Sequence, residues 1–139
     1  MTPDGKIRLD VVAGILSDDQ GCVLITERVG GGPFQGMWEF PGGKIAAGET
    51  AEFALIRELH EEIGIEVLDC ASFMYLEHDY PDRFVRLNFF NVVHWSGEAV
   101  GLEGQQLKWV SPAEIDIDSM LPADAPVIEA LVKMKKWSQ

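Results

Sequence analysis

The sequence predicts an α/β fold, of the kind also described as α+β, in which a mixed sheet lies between helices. Strand-like apolar segments recur along the chain, whereas only two long segments show the 3.6-residue spacing of amphipathic helices. Hydrophobic residues make up 47% of the 139 residues, and the chain contains no repeat or low-complexity run. Residues 1–139 are therefore expected to form a single domain with a full hydrophobic core.

The individual elements follow from apolar runs bounded by turn residues. Thr50 is a suitable N-cap for the first helix and Gly64 a suitable C-terminal cap, and the glycine-rich segment 29–36 is expected to be a loop. In chain order we expect strands at Leu9–Leu16 and Cys22–Glu27, a helix at Thr50–Ile63, strands at Ile65–Leu68, Ala71–His78, Phe84–Trp95 and from Leu107, and a closing helix at Pro126–Trp137.

The first predicted helix carries an unusual acidic face. Glu58, Glu61 and Glu62 stand at i, i+3 and i+4, so all three carboxylates lie on one side. Like charges at this spacing destabilise a helix by about 0.2–0.5 kcal/mol per pair, and the negative end of the helix dipole is close. A solvated acidic face would be the ordinary explanation. Because only Arg57 and His60 could compensate, a hard divalent cation such as Mg²⁺ is the better one.

The segment around this helix resembles the Nudix box, a pattern of glycines, glutamates and one arginine at fixed spacing. The resemblance implies an α/β/α sandwich and a loop-helix-loop site in which Glu58, Glu61 and Glu62 bind Mg²⁺ or Mn²⁺. It also implies that Gly43 belongs to the metal site and that Arg57 belongs to the catalytic centre. The fixed positions of the box are filled here by Gly43, Glu49, Arg57, Glu58, Leu59, Glu61, Glu62, Gly64 and Ile65.

The same resemblance implies structural roles in the box for Gly43, Glu49 and Gly64, with Glu49 and Arg57 holding the loop against the helix.

Outside the box, the chain resembles the MutT group of Nudix enzymes, which hydrolyse oxidised guanine nucleotides. Four segments carry this likeness: WEFPGGKI at Trp38–Ile45, YPDR at Tyr80–Arg83, GLEGQ at Gly101–Gln105 and PADAPVI at Pro122–Ile128.

Several residues outside the helix are candidates for substrate contact. Arg28, Lys44 and Arg83 could attract phosphate groups to an otherwise acidic protein. The MutT resemblance further implies that Arg28 lies near the nucleotide and that Tyr80 and Arg83 lie beside the base. It implies that Glu103 approaches the metal centre, as a metal ligand or as a general base.

Asp124 departs from the MutT pattern, which has an asparagine that hydrogen-bonds the purine base at this position. An ionised aspartate only accepts hydrogen bonds, whereas an amide both donates and accepts. Asp124 could pair with the N1–H and amine of guanine or with the amine of cytosine, and related enzymes that prefer CTP also carry a PAD segment. A purely structural role, as a cap of the final helix, is the other interpretation.

The composition limits the partners of the protein. A formal charge of −12 argues against polymeric nucleic acid, whose binding needs a basic patch, but metal ions can bridge carboxylates to a small nucleotide. No apolar run is long enough to span a bilayer and the N-terminus lacks signal-peptide character, so we expect no membrane partner and a cytoplasmic location. Both a monomer and a homodimer agree with the sequence.

These observations predict a Mg²⁺-dependent (or Mn²⁺-dependent) hydrolase that converts a nucleoside triphosphate to the monophosphate and pyrophosphate. The leading expectation is 8-oxo-dGTP and other oxidised purine nucleotides, with removal of damaged precursors before DNA synthesis as the purpose. A pyrimidine enzyme acting on CTP or modified dCTP is the alternative. A catalytically silent Nudix nucleotide sensor is the third possibility, which the intact glutamate trio disfavours.

Overall fold

The computed structural model describes residues 5–137 and confirms the predicted class, in which helices accompany a mixed sheet. Three short 3-10 helices, at Pro112–Glu114, Ile117–Ser119 and Pro122–Asp124, precede the last α-helix. The main elements are β1 Ile7–Leu16, β2 Val23–Glu27, β3 Trp38–Glu39, β4 Gly42–Lys44, α1 Ala51–Ile63, β5 Glu66–Asp79, β6 Arg83–Ser96, β7 Leu107–Val110 and α2 Ala125–Trp137.

The strands form two sheets. The larger sheet has the order β4-β1-β6-β5, with β1 parallel to β6 and the two outer pairs antiparallel, so it is mixed as predicted. The smaller sheet has the order β3-β2-β7 and is antiparallel. The sequence did not predict that the strands divide into two sheets. No helix within residues 5–137 has the length and apolarity needed to cross a bilayer.

Strand β1 separates two hydrophobic cores because successive side chains of a strand point to opposite faces. The core that contains α1 includes Val12, Leu16, Leu55, Leu59 and Ile63. The core that contains α2 includes Ala13, Ile15, Phe89, Val127 and Ile128. Because both faces of β1 are covered from Val12 to Leu16, this half of the strand is a continuous apolar run.

Helix α1 begins and ends where the sequence predicts. The Thr50 hydroxyl accepts a hydrogen bond from the Phe53 backbone amide at 3.1 Å, as an N-cap does. Gly64 adopts φ 74°, a left-handed conformation that favours glycine, and its N–H donates to the His60 carbonyl. These two caps fix the length of the helix and thereby the position of its acidic face relative to β4.

Two expectations about the strands were wrong. The predicted strands Ile65–Leu68 and Ala71–His78 are one continuous strand, β5, in which register shifts around Asp69 and after Ser72 take up the irregular residues. No strand is predicted in the segment 38–44, where the structure forms β3 and β4. Two- and three-residue strands are too short to show an alternating pattern, so only their pairing partners define them.

Candidate active site

A cavity of about 440 Å³ is lined by residues of β1, β2, β3, β4 and β6, by the last turn of α1 and by the segments that connect these elements. This volume is in the range of small-molecule binding sites. The predicted site residues that line it are Arg28, Gly43, Lys44, Glu62, Tyr80, Arg83, Glu103 and Asp124. Glu49, Arg57, Glu58, Glu61 and Gly64 are not among its lining residues. Glu58 nevertheless lies against Gly43, directly behind the cavity wall.

Glu62 is the glutamate of the box that faces the cavity. Its carboxylate accepts hydrogen bonds from the Gly42 backbone amide at 3.1 Å and from the Thr26 hydroxyl at 3.4 Å. Burial raises the pKa of Glu62 to about 8, and the negative charges of Glu39, Glu103 and Glu58 act in the same direction. Burial and these neighbouring charges therefore disfavour the ionised form of Glu62.

Gly43 allows Glu58 to approach β4. A Cβ atom at this position would overlap the Glu58 carboxylate, so every other residue type would displace that side chain. Burial raises the pKa of Glu58, with Arg57 acting against the shift and Glu61 and Glu103 adding to it. The glycine of the box is thus explained by close packing, since no unusual backbone angle is recorded at Gly43.

Replacement of Gly43 with alanine is expected to lower kcat by roughly 10- to 100-fold, because the added methyl group displaces Glu58 from its position behind the cavity. Steady-state hydrolysis of a nucleoside triphosphate measures this effect, and thermal unfolding verifies that the variant is folded. A folded variant with the kcat of the unmodified protein would show that the position of Glu58 does not matter for turnover.

Arg57 holds the loop before α1 against the helix. Its guanidinium forms a two-pronged ion pair with Glu49, at 2.6 and 2.8 Å, and donates to the Lys44 carbonyl at 3.0 Å. Glu49 in turn accepts from the Ala46 backbone amide at 2.7 Å. The hydrogen bond from Arg57, followed by that from Ala46, lowers the pKa of Glu49 to about 2. The geometry agrees with the structural roles expected of this pair.

The same guanidinium also contacts two of the glutamates expected to bind metal. Arg57 Nη1 lies 2.9 Å from Glu58 Oε1 and 3.3 Å from Glu61 Oε2. No three acidic, histidine or cysteine side chains in the range 5–137 converge into a ready-made metal site. The donor set is nevertheless of the right chemistry, because carboxylate oxygens are the ligands of hard divalent cations and a cation would relieve the repulsion around Glu62. In each of these ion pairs Arg57 contacts one carboxylate oxygen, so the second oxygen of Glu58 and of Glu61 can bind a cation.

Tyr80 is buried in the cavity wall, with 7% of its surface exposed. Its hydroxyl accepts a hydrogen bond from the Ala123 backbone amide at 3.3 Å, and its ring packs against Phe34 with centroids 5.2 Å apart. The sequence suggested an aromatic ring beside the base. The structure adds that Tyr80 holds the segment Pro122–Asp124 in place.

Asp124 is the most unusual polar residue of the cavity. The residue is 4% exposed, and Oδ2 has no hydrogen-bond partner within the described part of the chain. The Phe40 backbone amide hydrogen-bonds the carboxyl group. Burial, assisted by the charge of Glu39, raises the pKa of Asp124 well above its ordinary value, which favours the neutral acid. The sequence analysis considered an ionised Asp124, whereas its burial in the cavity wall favours the protonated form.

Of the three cationic residues on the cavity wall, two form ion pairs with acidic side chains and one is exposed to solvent. Arg28 Nη1 lies 3.3 Å from Glu39 Oε1, and Arg83 Nη2 lies 3.1 Å from Asp82 Oδ2. The Lys44 side chain is exposed. These groups border the cavity as the sequence suggested, and Arg28 is held by an ion pair within it.

The sequence analysis missed two polar residues that line the cavity, the half-buried Glu39 and the buried Gln105. Burial raises the pKa of Glu39, against the opposing effect of Arg28. Gln105 is 6% exposed and contacts the last turn of α1. Both residues stand in segments that carried the MutT resemblance, WEFPGG and GLEGQ. The sequence pattern that could have identified Glu39 and Gln105 is a polar side chain placed among glycines and apolar residues in each segment.

Comparison with known proteins gives one consistent family. The NUDIX domain family matches residues 7–131. The chain is 39% identical to an 8-oxo-dGTP diphosphatase of Escherichia coli K12, over 91% of this chain and 98% of the relative. It is 34% identical to the CTP pyrophosphohydrolase of the same bacterium, over 91% of this chain and 93% of the relative. A solved MutT structure, from work on Aliivibrio salmonicida and Vibrio cholerae, superimposes with a TM-score of 0.76 and 36% identity over 91% of this chain and 98% of that one.

Proposed function

Because this chain belongs to the Nudix hydrolase family, whose members generally use divalent metal ions, we propose that it is a Mg²⁺-dependent nucleoside triphosphate pyrophosphohydrolase. The proposed substrate is 8-oxo-dGTP, and the products are the monophosphate and pyrophosphate. Such a reaction removes oxidised guanine from the precursors of DNA. The observation that carries the proposal is a single cavity lined by both Glu62 and the unpaired carboxyl oxygen of Asp124.

Glu58, Glu61, Glu62 and Glu103 are the proposed ligands of the cation, which Mn²⁺ could replace, and Gly43 provides the space that Glu58 needs. The bound ion would polarise the phosphate groups and lower the pKa of a water molecule. The oxygen of that water attacks the β-phosphorus. The bond between the β-phosphorus and the oxygen that bridges the α- and β-phosphates then breaks, which gives the nucleoside monophosphate and pyrophosphate. A glutamate, for which Glu103 is our candidate, takes the proton of the water.

The three cationic residues on the wall are proposed to hold the nucleotide. Arg28, Lys44 and Arg83 are attached to separate parts of the cavity wall and can meet phosphate oxygens or the base without a change of fold. The ion pair between Arg28 and Glu39 keeps the guanidinium in the cavity when no nucleotide is bound. Arg57 differs from these residues because its contacts with Glu49 and Lys44 tie it to the frame of the site.

Asp124 is the proposed selector of the base. A neutral carboxyl group presents one O–H donor and one acceptor, as the amide of asparagine does, and it can therefore serve a purine in the same way. This argument favours the oxidised-purine substrate. The similarity to a CTP pyrophosphohydrolase supports cytosine nucleotides as the second candidate, because an acceptor at Asp124 could pair with the exocyclic amine of cytosine.

The single-domain organisation, the cytoplasmic location and the monomer or homodimer state stay predictions.

The proposal is tested by kcat/KM for 8-oxo-dGTP, dGTP, CTP, dCTP, 5-methyl-dCTP and ADP-ribose, with and without Mg²⁺. Pyrophosphate and phosphate release are measured separately. We expect Mg²⁺-dependent pyrophosphate release and a preference for 8-oxo-dGTP of about 10-fold or more, as base contacts that pair a buried polar group can give. The variant Asp124→Asn is expected to keep that preference, whereas Asp124→Ala is expected to lose it.

Each other outcome has a distinct meaning. A preference for cytosine nucleotides would contradict the purine assignment and identify the pyrimidine enzyme. Nucleotide binding without turnover of any compound, at any concentration of Mg²⁺ or Mn²⁺, would identify a sensor. Loss of the 8-oxo-dGTP preference in Asp124→Asn would show that the carboxyl group does not act as an asparagine would.

A further inference from the structure

The segment from residue 99 to residue 106 is fastened to the last turn of α1. The final carbonyl groups of an α-helix have no partner within the helix and need one elsewhere. Here the Val100 backbone amide donates to the Ile63 carbonyl at 3.0 Å, and the Leu102 amide donates to the Glu62 carbonyl at 3.2 Å. The loop that carries Glu103 is thus attached to the residue that faces the cavity from α1.

Gln105 joins the two parts with its side chain. Its Nε2 donates to the Glu62 carbonyl at 3.0 Å, and its Oε1 accepts from the Glu103 backbone amide at 2.9 Å. The side chain is buried, so both hydrogen bonds are shielded from water and the loss of either leaves an unsatisfied polar group. A side-chain amide is a neutral group that can donate on one side and accept on the other.

Two glycines make this attachment possible. A Cβ atom at Gly101 would overlap the Gln105 carbonyl, so the loop can close only with glycine there. Gly104 adopts φ 81°, which favours glycine for a different reason, since other residues rarely take this angle. The motif GLEGQ is therefore a compact loop in which the glycines allow the turn and Gln105 secures it.

We propose, on the basis of the function proposed above, that Gln105 is a positioning residue which sets where Glu103 stands relative to Glu62. Gln105 makes no contact with the reacting atoms in this assignment and acts only through the backbone of Glu103. Glu103 is exposed and borders the cavity, so its placement depends on the loop that carries it. Without the two hydrogen bonds, the bond from the Leu102 amide is the one that still joins the loop to Glu62 within residues 5–137.

The test is a double-mutant cycle with Gln105→Met and Glu103→Gln. Methionine keeps the length and most of the buried volume but removes both hydrogen bonds. We expect kcat for the preferred nucleotide to fall by roughly 10- to 100-fold in Gln105→Met with a smaller change in KM, as for a misplaced catalytic group. The double variant is expected to be no slower than Glu103→Gln alone, because Gln105 acts through Glu103. Gln106→Ala, at the exposed neighbouring position, is the matched control and should behave as the unmodified protein.

A second readout does not need turnover. Titration calorimetry with Mn²⁺ alone is expected to show weaker binding in Gln105→Met and in Glu103→Gln, and no further weakening in the double variant. If Gln105 has only a structural role, Gln105→Met lowers the melting temperature, and its loss of kcat multiplies with the loss in Glu103→Gln when the two are combined. This result would overturn the proposal. If Gln105→Met does not fold, the same cycle is measured with Gln105→Glu, which can accept from Glu103 but cannot donate to Glu62.

These outcomes separate the two proposals. If the unmodified protein hydrolyses none of the nucleotides, the proposed function fails, and the Mn²⁺ titrations still decide whether Gln105 positions Glu103. If the protein is active and Gln105→Met retains full kcat and Mn²⁺ affinity, the role of Gln105 fails and the proposed function stands.

Discussion

Replacement of Glu62 with glutamine is expected to lower kcat by roughly 10- to 1,000-fold, the range for loss of an electrostatic contact in the transition state. Glutamine has the same size and retains an oxygen that can accept from the Gly42 amide. It lacks the negative charge that makes a carboxylate a strong ligand of a divalent cation. The effect is measured as kcat at saturating nucleotide and Mg²⁺, and the loss should persist when Mg²⁺ is raised far above the level the unmodified protein needs.

Two further variants give this experiment its controls. Glu61→Gln is expected to reduce kcat over the same range, because Glu61 is the second proposed ligand of the cation tested here. Glu52→Gln makes the same chemical change in the first turn of the same helix, at an exposed position, and should leave kcat unchanged. Full activity in both Glu61→Gln and Glu62→Gln would refute the assignment of these residues as metal ligands.

The fold was largely predictable because its strongest signals are local. The limits of α1 are set by Thr50 and Gly64, whose cap geometries depend on a few adjacent residues. The apolar run of β1 reflects burial on both faces, which the sequence shows directly. β3 and β4 escaped prediction because each consists of two or three residues that are held by partners distant in sequence.

The sequence predicted the acidic face of α1 but not the electrostatics of the cavity. The glutamates of the box follow from spacing, since a helix places i, i+3 and i+4 on one face. The contacts of Arg57 with Glu58 and Glu61 follow from side-chain orientations that spacing does not define. The neutral state favoured at Asp124 depends on burial and on Glu39, which is distant in sequence, so no local pattern could indicate it.

Asp124 is expected to make the stability of the protein depend on pH. Its pKa is raised in the folded protein, so above the ordinary value of 3.8 the folded state retains a proton that the unfolded state has lost. Stability should therefore be complete at low pH and fall as pH rises through the raised pKa. One such proton gives a slope of at most about 1.4 kcal/mol per pH unit in the free energy of unfolding.

The variant Asp124→Asn isolates this contribution, because the amide has nearly the same shape and does not titrate. Glu39 and Glu62 also have raised pKa values and give slopes of the same sign, so only the difference between variant and unmodified protein is informative. Denaturant unfolding from about pH 5 to about pH 9 should show the variant gaining stability relative to the unmodified protein as pH rises. A difference that stays constant across this range would mean that Asp124 is ionised in the folded protein, and its oxygen atoms would then only accept hydrogen bonds from a base.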